Sequence, residues 1–368
     1  MATLLRCFIL LMAGVASCHA VLPTFSWSKV PVYWHAANFS GPLNDAVVEF
    51  VVTSGFASAT IEKAQGVFGA DNTTTFAEDR ILAAARQLKF SKFNSSLFPV
   101  IAYFNSVLNW PYYRLARDVV ADPSKALLNT SGLPVLLPGD PAFPQPAAGM
   151  EVFDFGQPSV VQWFADACQT LVDTGAIDGC FQDRAGENSY GKAVSANATA
   201  RYAAGHDAVL RRMQSTIGPT NIVISNNYNL PGVRATMLER FDATEGSIRS
   251  LQTLAAAGYI VYAHAGNAAN GADNHCADVT NSLAAFLIGA GENSLYACSK
   301  DWVIDPLWPA PNHPSDWMTW HPQYSRPLGP PHGLATRSSN GLWTRTFGNG
   351  TKVTFDAKTG EGVIAWSS

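Results

Sequence analysis

Two carboxylate residues in separate segments, Asp183 and Glu245, are the side chains whose types and positions best suggest chemistry. Asp183 ends the run Asp-Gly-Cys-Phe-Gln-Asp, and Glu245 ends the run Phe-Asp-Ala-Thr-Glu. Each carboxylate lies just after a predicted strand, at residues 176–181 and 241–244 respectively. Two carboxyl groups facing one cavity can cleave a glycosidic bond, because one protonates the leaving oxygen while the other attacks the anomeric carbon or activates water. The pair therefore predicts glycoside hydrolysis, with Asp183 and Glu245 as the catalytic residues.

Both residues also have a structural alternative. Asp183 could pair with Arg184 or cap a helix, and Glu245 could stabilise the N-terminus of a helix that begins near Ser247. We favour the catalytic interpretation because both residues fall at predicted strand ends of one domain. In a crowded pair the two pKa values separate, so that one carboxylic acid stays protonated.

The elements that would position these residues alternate between short β-like runs and helical runs. Such alternation is typical of a parallel sheet covered by helices. The sequence lacks the Gly-rich phosphate loop expected of a doubly wound sheet, so we predict a (β/α)8 TIM barrel of the α/β class. The eight predicted strands are residues 31–38, 58–63, 98–106, 176–181, 221–225, 241–244, 259–263 and 294–297.

Reacting and binding groups of such barrels come from the C-terminal ends of the strands. We therefore expect the substrate-binding residues to be Trp34, His35, Glu62, Asn105, Asp154, Asn226 and His264. The Pro-rich stretch 109–149 is long enough to form one wall of a substrate cleft.

His264 also suggests a metal site, because Asp273 and His275 follow it in the chain. Their spacing matches no metal motif such as His-Glu-x-x-His. A sugar hydroxyl is the better ligand for His264, and we predict neither a metal nor another cofactor.

The two ends of the chain differ in character from the predicted barrel. Residues 1–20 combine an early Arg6, an apolar run and small residues, which predicts a cleaved signal peptide; an uncleaved anchor is the alternative. Residues 21–302 are the predicted barrel. Residues 303–368 begin with a segment rich in Pro and Trp and continue as alternating runs with Gly-containing turns, which predict β-hairpins packed on the barrel.

Glycosylation sequons and cysteines indicate the secretory pathway and an extracellular protein. Six Asn-x-Ser/Thr sequons occur, at positions 38, 72, 94, 129, 197 and 349. The predicted mature chain keeps Cys168, Cys180, Cys276 and Cys298, which allow three pairings. Pairing each cysteine with its near neighbour requires the least chain to be ordered; free buried thiols and a zinc site are the alternatives.

Composition limits the classes of partner. Charged residues make up 14% of the chain and the net charge is −4, so a nucleic-acid partner is not expected. We also expect no membrane attachment once the signal peptide is removed. The 10 Trp, 11 Tyr and 20 Phe residues would suit sugar rings at loop ends, although core packing is their commoner role.

The segments around the two carboxylates resemble a known family. The run that starts at Phe153 (Phe-Asp-Phe-Gly-Gln-Pro), followed by the run from Thr174 to Asp183, resembles the D…P…GxDGxFxD pattern of an uncharacterised family of TIM-barrel glycoside hydrolases. The segment ending at Glu245 resembles the carboxylate segment of their strand six. The runs that start at Leu328 and Trp343 resemble their closing β segment.

The resemblance implies a retaining mechanism with a nucleophile on strand four and an acid/base on strand six. Carried onto this chain, Asp183 is the nucleophile and Glu245 is the acid/base. The chain departs from the pattern at Cys180 and Gln182, and Arg184 follows Asp183 directly. A cation at that position would favour ionised Asp183, as a nucleophile requires.

The sequence therefore predicts a secreted glycoside hydrolase that acts on a polysaccharide or glycan. A barrel that binds carbohydrate without turnover is the first alternative, and a metal-dependent hydrolase is the second. The separation of the two carboxyl groups distinguishes hydrolase from binding protein, and its value also predicts the stereochemical outcome.

Overall fold

The computed structural model describes residues 22–23, 25–68, 74–93, 98–141, 143–187, 194–266, 276–304 and 315–367. Within these residues, short 3-10 helices span Pro123–Lys125, Asp316–Met318 and Pro322–Ser325. In chain order the strands and helices are β1 (Trp34–Ala36), α1 (Asp45–Thr53), β2 (Ala59–Ile61), α2 (Ala77–Lys89), β3 (Val100–Asn105), α3 (Arg114–Ala121), β4 (Leu136–Leu137), β5 (Met150–Glu151), α4 (Pro158–Val172), β6 (Gly179–Asp183), α5 (Ala196–Ile217), β7 (Ile222–Asn226), β8 (Ala235–Leu238), α6 (Glu245–Ala256), β9 (Ile260–Ala265), α7 (Thr280–Gly289), β10 (Ser294–Cys298), β11 (Thr336–Arg337), β12 (Leu342–Thr346), β13 (Lys352–Asp356) and β14 (Glu361–Ala365).

Eight of the strands form one parallel sheet in the order β1-β2-β3-β6-β7-β8-β9-β10. The sheet closes on itself, because Tyr33 N donates to Tyr296 O at 3.1 Å and Tyr296 N donates to Pro31 O at 2.9 Å. Buried apolar side chains fill the barrel and the layer between its strands and the surrounding helices. The prediction of a (β/α)8 barrel is confirmed.

The sixth strand of the barrel is the element that the sequence misplaced. It was predicted at residues 241–244, whereas β8 spans Ala235–Leu238 and pairs with β7 and β9. The connection from β7 to β8 is a loop without a helix, so the expected strand–helix alternation fails there. Phe241 is instead a buried residue of the following loop, and its N–H donates to His264 O at 2.9 Å.

Two disulfides tie helices and loops to barrel strands. Cys168 of α4 is bonded to Cys180 of β6, and Cys276, just before α7, is bonded to Cys298 of β10. The predicted pairing of near neighbours is confirmed. Each bridge ends on a strand, so each fixes a strand relative to the outer layer.

A small antiparallel sheet, β11-β12-β13-β14, follows the barrel and packs on α7. Gly362 allows the close approach, because a Cβ atom there would lie 2.4 Å from Ala284 Cβ. Arg345, which is buried, donates to Leu287 O at 2.9 Å, close to the C-terminus of α7. The predicted C-terminal β appendage is confirmed.

The described helices do not include one with both the length and the apolar character needed to cross a membrane. The predicted signal peptide, residues 1–20, lies outside the described residues. The boundary predicted after residue 302 stays a prediction.

Candidate active site

Asp183, the last residue of β6, is surrounded by hydrogen-bond donors. Its Oδ2 accepts from Tyr103 Oη at 2.6 Å and from Asn105 Nδ2 at 3.0 Å. Its Oδ1 accepts from Asn226 Nδ2 at 3.0 Å and from Arg184 N at 2.8 Å. Tyr103 and Asn105 are two residues apart on β3, which pairs with β6, so both side chains point to the same face of the sheet. These four donors fix the orientation of the carboxylate.

The Arg184 guanidinium is hydrogen-bonded to Glu187, and its interaction with Asp183 is coulombic. Arg184 Nε lies 2.5 Å from Glu187 Oε2, and only the backbone N–H of Arg184 donates to Asp183. Arg184 has a φ of 57°, in the left-handed region. This backbone turn redirects the chain directly after β6.

The second carboxylate at the centre of the site is Glu239, which follows β8 directly. Its Oε2 accepts from Asn226 Nδ2 at 2.8 Å and from Asn227 Nδ2 at 3.2 Å. Because Asn226 Nδ2 also donates to Asp183, Asp183 Oδ1 and Glu239 Oε2 cannot be farther apart than the sum of the two distances, 5.8 Å. Burial raises the pKa of Glu239, and the negative charge of Asp183 raises it further.

Glu245 does not lie at the end of a barrel strand, so that prediction is wrong. It is the first residue of α6, which Thr244 caps through a hydrogen bond from Ser247 N at 3.2 Å. Its carboxylate accepts from Arg249 Nε at 2.8 Å and from Arg337 Nη2 at 2.9 Å, which lowers its pKa. Glu245 therefore has the structural role that was its alternative.

Asp183 and Glu239 line a cavity of about 560 Å³ at the C-terminal end of the barrel. The stretch predicted to wall a cleft contributes Trp110, Pro138, Gly139, Asp140 and Phe143. The aromatic residues of the lining are Phe39, Tyr103, Trp110, Phe143, Phe181 and Trp302. Aromatic walls with a few convergent polar groups are typical of sites for small organic ligands, including sugars.

Glu62 lines the cavity as predicted, but its carboxylate is paired. Lys63 Nζ lies 3.0 Å from Glu62 Oε1, and the Lys63 N–H donates to the other carboxylate oxygen. Burial raises the pKa of Glu62, and Lys63 offsets part of that effect. Lys63 Nζ also lies 4.8 Å from the ring centroids of both Tyr103 and Phe143. Sequence reasoning missed Lys63, although it follows Glu62 at the same strand end.

His35 lines the cavity and is 1% exposed. Its ring lies edge-on to Phe181, at a centroid distance of 4.8 Å, and 4.6 Å from Trp302. Neither ring nitrogen has a hydrogen-bond partner among the described residues. Burial, with the nearby His264 and Lys63, holds the pKa of His35 well below its usual range, so the ring is neutral.

His264 is not among the residues that line the cavity. Its Nδ1 lies 3.1 Å from Glu239 O, its Nε2 lies 2.9 Å from Ser299 Oγ, and its ring packs 4.2 Å from that of Trp302. Burial lowers its pKa to about 3. His264 thus supports the backbone of Glu239 and the ring of Trp302.

Two further predicted binding residues also lie outside the lining. Trp34 is fully buried and donates through Nε1 to Trp317 O at 3.2 Å. Asp154 accepts from Gly156 N at 3.1 Å and from Gln157 Nε2 at 2.8 Å. Both side chains stabilise local structure. His35, Glu62, Asn105 and Asn226 are the predicted binding residues that the cavity brings together with Asp183.

The metal alternative has no support in the described part of the chain. There, no three side chains of His, Cys, Asp or Glu come together as ligands. Asp273 and His275, which the sequence placed near His264, lie outside the described residues.

Comparison with known proteins shows a family match over most of the chain. A family model described as hypothetical glycosyl hydrolase family 15 (GHL15) matches residues 92–351, which include both Asp183 and Glu239. A search of curated proteins found no match.

Solved structures share the fold at low sequence identity. The galactosidase domain of alpha-galactosidase-sucrose kinase, AgaSK, is 12% identical with a TM-score of 0.50, over 89% of this chain and 46% of that one. A GH31 family sulfoquinovosidase from E. rectale is 10% identical with a TM-score of 0.50, over 75% of this chain and 44% of that one. This chain thus spans less than half the length of either protein. At such identities the likeness shows the fold alone.

Proposed function

This chain belongs to hypothetical glycosyl hydrolase family 15, and from that membership we propose that it is a retaining glycoside hydrolase with Asp183 as nucleophile and Glu239 as acid/base. Glu239 takes the place that the sequence gave to Glu245. The observation that carries the proposal is the single amide of Asn226, which donates to both carboxylates and limits their nearest oxygens to 5.8 Å apart. Retaining enzymes separate the two groups by about 5–5.5 Å, and inverting enzymes by about 6.5–9.5 Å.

The two roles follow from the two environments. Asp183 accepts four hydrogen bonds, which hold its carboxylate in one orientation for attack on the anomeric carbon. Burial and the charge of Asp183 raise the pKa of Glu239, which suits the carboxyl group that donates a proton. Asn226 and Asn227 both donate to Oε2 of Glu239, which orients its carboxyl group beside Asp183.

The proposed reaction has two steps. Asp183 attacks the anomeric carbon as the glycosidic bond breaks, and Glu239 gives its proton to the leaving oxygen. Glu239 then takes a proton from water, which attacks the same carbon and releases Asp183. Trp302 would carry the sugar ring, since His35, His264 and Trp317 pack against it and hold it in place. His35 would bond a sugar hydroxyl at the buried end of the cavity.

The substrate would be a polysaccharide or a glycan, and the reaction would need no cofactor. The two disulfides support secretion into an oxidising compartment, with residues 1–20 as signal peptide and N-linked glycans on the mature protein.

A release assay tests the proposal on a panel of polysaccharides and aryl glycosides. We expect Asp183→Asn and Glu239→Gln each to reduce kcat/KM by at least about a hundredfold. Glu245→Gln is the matched control and should retain wild-type turnover. NMR of the first-formed product should show the anomeric configuration of the substrate.

Other outcomes would change the assignment. Loss of activity in Glu245→Gln but not in Glu239→Gln would refute the role of Glu239. An inverted product would refute the nucleophile. Glycan binding by wild type without turnover on any substrate would favour the binding barrel.

A further inference from the structure

An aromatic wall extends from the cavity toward the surface of the protein. The ring centroid of Phe143 lies 5.1 Å from that of Phe39, which lies 5.7 Å from that of Phe68. Phe39 and Phe143 line the cavity, whereas Phe68 is not among the lining residues and is 45% exposed. These three residues form a row, here called the aromatic row, that leads from the carboxylate pair to solvent.

The aromatic row is held by contacts between three loops. Phe39 follows β1, Phe68 follows β2, and Phe143 belongs to the segment after β3. Phe68 N donates to Phe39 O at 2.9 Å, which joins the first two loops. Phe143 packs edge-on against both Phe39 and Trp110, which joins the third loop to them. The position of Phe68 is therefore fixed relative to the cavity.

The inner end of the row lies close to the reacting groups. Lys63 Nζ is 4.8 Å from the ring centroids of both Phe143 and Tyr103, and Tyr103 Oη donates to Asp183. Each step between neighbouring rings is comparable to the length of one pyranose unit. Phe39 is 2% exposed, so Phe68 is the ring of this row that presents a face to a sugar unit outside the cavity.

We propose that Phe68 forms an outer sugar subsite, so that the substrate is an oligosaccharide or polysaccharide chain rather than a single glycoside. The inference rests on the proposed function and extends it to the size of the substrate. An exposed aromatic ring continuous with a binding cavity offers an apolar face on which the C–H face of a sugar can stack.

The test compares Phe68→Ala with Phe90→Ala. Phe90 is also exposed, at 66%, but it follows the C-terminal end of α2, which lies at the opposite end of the barrel from the cavity. Both changes are made in an Asp183→Asn background. Binding is measured by affinity electrophoresis through gels that contain soluble starch, galactomannan or hydroxyethylcellulose. In the active protein, the ratio of KM for the polymer to KM for an aryl glycoside is the second readout.

We expect Phe68→Ala to weaken polymer binding, and to raise the KM ratio, by about five- to tenfold. Phe90→Ala should change neither. Equal retardation of Phe68→Ala and its parent, or a parent that no polymer retards, would overturn the subsite. Turnover of aryl glycosides in that case would leave the proposed hydrolase intact. Conversely, polymer binding lost only in Phe68→Ala, with no turnover by wild type, would support the subsite and refute the hydrolase.

Discussion

Asn226 offers the most direct test of how the carboxylate pair works. Its Nδ2 carries two hydrogens, and the two acceptors are Asp183 Oδ1 at 3.0 Å and Glu239 Oε2 at 2.8 Å. Both N–H bonds are used within the protein, so Nδ2 of Asn226 bridges the two carboxylates, and the predicted contact of Asn226 with substrate stays a prediction. Asn226→Ala removes a donor that favours the ionised form of Glu239, and therefore raises the pKa of Glu239.

The size of the effect follows from the strength of one bond. A hydrogen bond to a charged group contributes about 1.5–3 kcal/mol, and one pKa unit corresponds to about 1.4 kcal/mol. Asn227 keeps a second donor on the same oxygen, and Glu239 is only partly buried. We therefore expect an increase of about one pKa unit, at the low end of that range.

The measurement is the pH dependence of kcat/KM. The acid must be protonated to act, so activity is lost as pH rises through the pKa of Glu239. In Asn226→Ala this basic limb should move upward by about one unit. Asn105→Ala is the matched control, because its Nδ2 donates to Asp183 and not to Glu239, and it should leave the basic limb in place.

An unchanged basic limb in Asn226→Ala, or one that moves to lower pH, would refute the reasoning. The same shift in Asn105→Ala would show that the limb does not report Glu239. Thermal unfolding of both variants checks that each is folded.

Three further outcomes follow from the structure. Burial raises the pKa of Glu78 to about 7, so the free energy of unfolding should fall as pH rises from the unfolded-state pKa of this group to about 7. Glu78→Gln should remove this fall, which is measured by urea unfolding at pH 5 and pH 8. Replacing Cys276 and Cys298 together by Ser should lower the free energy of unfolding by roughly 3 kcal/mol, measured in the same way. When the protein is secreted from a eukaryotic host, peptide mass spectrometry should find a glycan on Asn197, which is exposed. It should find none on Asn38, because Nδ2 of Asn38 donates to Pro42 O at 2.8 Å. A glycan on Asn38 would contradict this expectation.

Most of the barrel could be predicted because its strands are apolar runs between amphipathic helices. The segment at Ala235–Leu238 is the exception. Ala, Met and Leu favour helices as readily as strands, and no helix separates this strand from β7. The sequence favoured Phe241 as a strand residue because it is aromatic, but it packs against apolar side chains of α6 and α7. A local pattern does not contain that tertiary contact.

This shift of one strand explains why the candidate site was only partly predicted. The sequence located β3, β6 and β7 to within a few residues. These strands end at Asn105, Asp183 and Asn226, so the places of these three residues at the cavity could be predicted. Because the sixth strand was misplaced, the sequence indicated Glu245 as acid/base and not Glu239, the residue proposed here. Trp302 was missed for a different reason, since it lies beyond the last strand and reaches the cavity through a loop.

The position of Glu239 depends on contacts that lie far away in sequence. Its N–H donates to Asn227 Oδ1 at 3.0 Å, and its carbonyl oxygen lies 3.1 Å from His264 Nδ1, so neighbouring strand ends hold its backbone on both sides. Asn227 has a φ of 51°, in the left-handed region that Asn tolerates better than most residues. The ring of His264 packs against Trp302, so the support of the proposed acid is continuous with the support of the proposed sugar platform. The residues that orient Glu239 therefore also position it relative to the Trp302 ring, and no short sequence motif could specify that arrangement.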